Sequence, residues 1–153
     1  GLGSYFSLKA FYTDIPCEGG AYPVRFLDKC ETCGLCRQSC PTGAIGQGTV
    51  IDASRCLTLH NESKSPMPDW IPRSAHHTMI GCLRCQEVCP YNRAPQKKAF
   101  HTLELSEIQT RALLPSDSEE LPEELKQKLG RFGLDEHFIA IAGRNAALTL
   151  QNS

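Results

Sequence analysis

The sequence predicts an α+β fold in three parts: a leading β-strand, a cysteine-rich core and an α-helical C-terminal tail. Three observations carry that prediction. Tyr5 to Thr13 (YFSLKAFYT) alternates Phe6, Leu8 and Ala10 with Ser7 and Lys9, the period of a half-buried strand. The cysteines gather in two spaced runs, at 30–40 and 82–89. The last third holds no cysteine and shows helix start and stop signals from Ser106 onward. The three parts are residues 1–28, 29–101 and 102–153.

The first run, Cys30-Glu31-Thr32-Cys33-Gly34-Leu35-Cys36-Arg37-Gln38-Ser39-Cys40-Pro41, reads C-x2-C-x2-C-x3-C-P. That is a bacterial iron–sulfur run. In two-cluster ferredoxins its first three cysteines hold one [4Fe–4S] cluster and its fourth ligates the other. The second run, Cys82-x2-Cys85-x3-Cys89-Pro90, lacks the opening cysteine. Met79 stands in that place, and a thioether is too weak to replace a thiolate on iron. One thiolate must come from elsewhere, and Cys56 and Cys17 are the two that remain. Cys17 lies outside both runs, in the loop after the strand, and reads as a spare thiol. Cys56 is therefore preferred, and were Cys17 the ligand, Cys56 would be the spare. The pseudo-symmetry of two-cluster ferredoxins, in which each half lends its last cysteine to the other, then gives two ligand sets. They are Cys30, Cys33, Cys36 and Cys89 for the first cluster, and Cys40, Cys56, Cys82 and Cys85 for the second. The core is thus expected to be ferredoxin-like, with clusters side by side so that an electron can pass between them.

The remaining elements follow in order. Asp14-Ile15-Pro16 ends the leading strand, because proline cannot continue a ladder. The strand needs a partner, either a missing upstream domain or a local hairpin with Val24–Leu27. Gly34 lets backbone N–H groups turn towards sulfur. A short helical turn after Cys36 carries Cys40 towards the second cluster, and Pro41 blocks its continuation. Ile45 is an apolar anchor, and Gly46 to Asp52 suggests a small hairpin. Asp52 or Ser54 is placed to N-cap a short helix carrying Arg55 and Cys56. Residues 60–73 are polar and proline-interrupted, so an irregular segment is expected, with Trp70 and Ile71 covering the cluster region. His76-His77 reads as a packing or surface pair. Leu83, Val88 and Tyr91 would shield the second cluster from water. In the tail, Ser106-x-x-Gln109 forms a capping box opening a helix through Leu114. Pro122 suits the first position of a helix that Gly130 stops. Asp135 starts another, to about Leu150, with Phe138, Ile139, Ala142, Ala146 and Leu150 as its apolar stripe.

Composition narrows the function classes. A chain of 153 residues suits one domain with a modest core, which two clusters would staple from within. Net charge is −1 and speaks neither for nor against nucleic acid. No run of 18 apolar residues exists, so no membrane-spanning helix is expected, and no signal peptide with a charged start and apolar middle is expected. Nine cysteines, an odd count, do not suit a secreted disulfide scaffold. Zinc accounts for C-x2-C pairs but not for two C-x3-C-P runs. Thiolates that must stay reduced point to the cytoplasm. Between Lys64 and His101 there are six Lys/Arg against two acids. By default this is a solvated face, and in the sharper reading it is a phosphate-contacting patch centred on Arg93 to Lys98. The chain opens Gly1-Leu2-Gly3-Ser4 without a Met, and is read as a piece of a longer polypeptide.

Four motifs together resemble the epoxyqueuosine reductase family: C-x2-C-x2-C-x3-C-P-T-G-A-I, D-A-S-R-C-L-T, G-C-x2-C-Q-x-V-C-P-Y-N and the upstream G-S-Y-F-x-L-x-x-x-x-T-D-I-P. The single Cys56 and the Met79 in the vacated slot match that family's arrangement. The resemblance covers residues 3 to about 95. It departs at Leu57-Thr58-Leu59-His60-Asn61-Glu62 and in a shortened helical tail, which marks a divergent member. It implies an electron-delivery part following a cobalamin-binding domain. In that family, two clusters fed by a low-potential donor reduce cobalamin, and cobalamin reduces the epoxide of a modified tRNA nucleoside in queuosine biosynthesis. The family's proton donor lies upstream, so the resemblance carries no catalytic residue onto this chain. A stand-alone ferredoxin-like carrier serving separate redox partners is the alternative.

Overall fold

The computed structural model describes residues 4–5, 9–16, 19, 28–47, 50–92, 103–114 and 121–151. Among the described residues, seven α-helices order it: α1 (Asp28–Cys33), α2 (Leu35–Ser39), α3 (Leu57–Asn61), α4 (Arg84–Glu87), α5 (Glu107–Leu113), α6 (Glu123–Gly130) and α7 (Glu136–Leu150). Short 3₁₀ turns at Ala53–Arg55, Arg73–Ala75 and Pro90–Asn92 link the cysteine-bearing segments.

The expected α+β class gives way here to a mainly helical one. Of the predicted leading strand, residues 6–8 lie outside the described residues, as does the hairpin partner Val24–Leu27. Lys9 to Thr13 is irregular, with Phe11 and Tyr12 almost fully exposed. A strand must place its N–H and C=O groups on a neighbour. Among the described residues the β-pairing recorded is an isolated antiparallel bridge between Ile45 and Ile51. That bridge is the small hairpin expected at 46–52, closed by Gly46 N–H to Val50 O (2.8 Å) and Asp52 N–H to Ala44 O (2.8 Å).

The two cysteine runs fold alike. Gly34 (φ 64°, ψ 4°) precedes α2, and Leu83 (φ 57°, ψ −7°) precedes α4, so each C-x2-C turn is left-handed just after its first cysteine. Glycine takes that conformation freely, whereas Leu83 carries its Cβ into it. Helices α2 and α4 pack on each other, and Ser39 Oγ donates to Arg84 O (3.5 Å) across the join. Asn92, fully buried, donates to Gln86 O and Ser4 Oγ, both at 2.7 Å, and accepts from Ser4 N–H at 2.6 Å.

Two apolar clusters flank this centre. Leu57, Ile71 and Ala75 form one, with Met67 and Cys82 against it. Leu113, Leu125 and Leu129 form the other, with Met79 and Ile139 among its neighbours. Local signals placed the tail helices correctly. The Ser106–Gln109 capping box is made on both sides, and Asp135 caps α7 by accepting from Phe138 N–H (3.2 Å). The inner face of α7 is rotated from the expected stripe: Ile141, Ala142, Asn145 and Ala146 are buried, and Leu150 is exposed. Leu129→Ala should destabilise the tail by about 2–5 kcal/mol through the cavity left behind. Ser106→Ala should cost about 1 kcal/mol. Urea unfolding followed by helical circular dichroism measures both, and equal effects would contradict this ranking.

Candidate metal centre

Cys30, Cys33 and Cys36 sit on α1 and α2, and Cys89 follows α4. All four line one cavity of about 40 Å³ with Lys29, Gly34, Leu35, Pro90 and Tyr91. The donor set is sulfur only, in an apolar surround, which suits a soft thiolate-ligated group. Burial pushes the Cys30 thiol up, and the neighbouring Cys89, Cys36 and Cys33 add to that.

Cys40, Cys56, Cys82 and Cys85 make a second neighbourhood. Burial raises the Cys82 thiol, and Cys56 and Cys40 raise it further. Burial also raises Cys85, with Cys82, Cys56, Cys36 and Cys40 contributing. Helix α2, which carries Cys36, packs on α4, which carries Cys85, so the two neighbourhoods adjoin. Cys40 goes the other way. Burial alone would push it up, but hydrogen bonds from Thr42, Ala44 and Ile45 outweigh that and hold it below the usual thiol value. Ala44 N–H points at Cys40 Sγ (3.2 Å), and Thr42 Oγ1 lies 3.7 Å away. Such N–H···S contacts set cluster potentials, and the P-T-G-A turn after Cys40 is the signal that could have located them. Among the described residues no three His, Cys, Asp or Glu side chains close around a single ion. A cubane takes one thiolate at each iron corner, so its ligands stand farther apart than those of one zinc ion.

The neighbouring polar residues hold the ligand-bearing backbone. Asp52 accepts from Ser54 N–H (3.0 Å) and opens the turn leading to Cys56, as expected. Arg55 donates to Thr42 O (3.2 Å) and lies 5.5 Å over the Trp70 ring. Ile71 is buried beside Cys82, while Trp70 stays half exposed above His60. The histidine pair is structural: His76 is buried, and burial, Arg144 and His77 push its pKa down. The His77 ring spans Ala75 O (2.8 Å) and Cys82 O (3.0 Å). Cys17 and Arg93 to Lys98 lie outside the described residues.

Comparison with known proteins bears on the cysteine-rich segment. Residues 29–92 match the family model described as a 4Fe-4S double cluster binding domain. An uncharacterized protein of Geobacillus stearothermophilus is 36% identical over 100 residues, 65% of this chain and 44% of the relative. Epoxyqueuosine reductase of Bacillus subtilis is 35% identical over 99 residues, 65% of this chain and 24% of the relative. The solved structure of the B. subtilis enzyme covers 86% of this chain and 35% of its own, at 30% identity and a TM-score of 0.58. The chain therefore spans less than half the length of these relatives. Fold, cysteine grouping and family model mark residues 29–92 as a 4Fe-4S double cluster binding domain. Within that class, the chain is similar to epoxyqueuosine reductases over this segment.

The thiol shifts set a pH dependence for the cluster-free protein. Cys30, Cys82 and Cys85 hold their protons more tightly when folded than the ordinary thiol pKa of 9.0 allows. Their contribution to stability is complete below that value and is lost as pH rises through the raised folded values, while the lowered Cys40 opposes it. The melting temperature of cluster-free protein should fall as pH rises above 9.0, and fall less in a Cys82→Ser/Cys85→Ser variant. Identical falls would contradict the shifts.

Proposed function

We propose that this chain is the electron-delivery part of a cobalamin-dependent reductase acting on epoxyqueuosine in tRNA. Cys30, Cys33, Cys36 and Cys89 hold one [4Fe–4S] cluster, and Cys40, Cys56, Cys82 and Cys85 hold the other. The observation that carries this reading is the cavity shared by three cysteines of the first run and Cys89 of the second. Each cluster, when bound, takes up and releases one electron at a potential within roughly −700 to +450 mV. This chain's residues supply the rest. Eight thiolates neutralise and anchor the iron. Ala44 N–H stabilises added negative charge at Cys40. Leu57, Ile71 and Ala75 keep water from the Cys82 side.

The domain reading follows the same division: residues 1–28 lead in, 29–101 hold the clusters and 102–153 buttress them. Phe11, Tyr12 and Ile15 are exposed apolar side chains in the lead-in segment, which supports a covering upstream domain over a free carrier. The reducing cytoplasm suits the thiolate ligands. Arg93 to Lys98 is the stretch proposed to approach tRNA phosphates.

The polypeptide as natively expressed should have a denatured mass well above 16.9 kDa, bind cobalamin and reduce epoxyqueuosine in tRNA. Cys89→Ser and Cys56→Ser should each abolish that turnover, and Cys17→Ser should leave it intact. A native mass of 16.9 kDa with electron exchange to separate proteins would make the free carrier the right reading. Loss of turnover in Cys17→Ser with retention in Cys56→Ser would overturn the second ligand set.

A further inference from the structure

The helical tail reaches into the cluster core through one buried amide. Asn145 on α7 is 1% exposed, and its Nδ2 donates to Asn61 O (2.8 Å) and to Met79 O (2.7 Å). Asn61, fully buried at the end of α3, donates from its own Nδ2 to Gly81 O (2.7 Å). The adjacent Arg144 donates to His60 O (2.8 Å) and to Ser65 O. The Met79 side chain, in the slot where the first run has a cysteine, packs against Leu113, Leu125 and Leu129 of the tail. Two backbone segments are thereby tied to each other and to α7. One is α3, whose N-cap is Cys56. The other is Met79 to Gly81, which runs directly into Cys82 with Gly81 at φ 66°.

We infer that Asn145 is a positioning residue for the second cluster. It fixes the distance between the segment that presents Cys56 and the segment that presents Cys82. The inference rests on the ligand set Cys40, Cys56, Cys82 and Cys85 proposed above. Apolar packing alone would hold α7 against the core without selecting a register, because it is non-directional. Two hydrogen bonds from one amide to carbonyls far apart in sequence do select it. Leaving such groups unpaired inside the protein is costly, so a displaced α7 is disfavoured. The missing opening cysteine of the second run gives this contact its purpose. The first run holds three ligands on one continuous segment, α1 and α2, whereas the second recruits Cys56 from a separate segment that must be held in place.

The test uses the holoprotein and the isosteric substitution Asn145→Asp, which removes both N–H donors and sets acceptors against two carbonyls. Iron and sulfide content, the electron paramagnetic resonance of the reduced protein and the midpoint potentials are compared with the parent. Asn145→Asp should disturb one cluster alone, lowering iron from about eight towards about four per chain or shifting one potential while the other stays. The disturbance should persist in a Cys33→Ser background and vanish in a Cys56→Ser background. Asn145→Ser, whose hydroxyl is too short to reach either carbonyl but sets no carboxylate against them, should show the same selectivity and serves where Asn145→Asp fails to fold. Both clusters moving together, or neither moving, would overturn the inference. A parent protein without about eight irons would instead remove the ligand reading, and the inference with it.

Discussion

Thiolate convergence is the constraint on which the rest of this structure depends. Cysteines far apart in sequence must be brought beside small inorganic cores, and deprotonated thiols resist crowding. Burial, and after it the neighbouring cysteines, raise the Cys30, Cys82 and Cys85 thiols in the cluster-free fold. The chain meets the constraint with short helices and turns. Two left-handed residues, Gly34 and Leu83, start the paired helices α2 and α4, and the two runs then face each other. Iron binding would relieve the repulsion that the fold builds, so cluster and fold are thermodynamically linked.

Outside the cysteine centre, the structure serves mostly to hold backbone in place. Hydrogen bonds from Arg55, Asn61, His77 and Asn92 go to backbone carbonyls close in sequence to the cysteines. The tail adds a second apolar cluster and reaches back through Met79 and Asn145. Its sequence separation from the cysteines conceals how directly it bears on them.

Short-range chemistry was legible in the sequence. Cysteine spacing, the 46–52 hairpin, the Asp52 turn, the Ser106 capping box and the Asp135 cap each depend on residues a few positions apart. The leading strand was not legible, because alternation at Tyr5 to Thr13 records a propensity and pairing needs a partner. The α7 register was misjudged for a related reason. Asn145 reads as a polar break in an apolar stripe until its distant carbonyl partners are in place, and those partners pull the buried face around to Ile141. Helix α3 fell in a stretch read partly as irregular, since five residues give little periodicity to detect.

The central claim is that two adjacent four-cysteine sets carry two [4Fe–4S] clusters close enough to exchange an electron. Electron paramagnetic resonance of the anaerobically purified, dithionite-reduced protein tests it most directly. The account predicts two paramagnetic clusters whose signals broaden and split one another through spin coupling. A protein that carries zinc and stays silent on reduction, or one that shows a single isolated cluster, would contradict it.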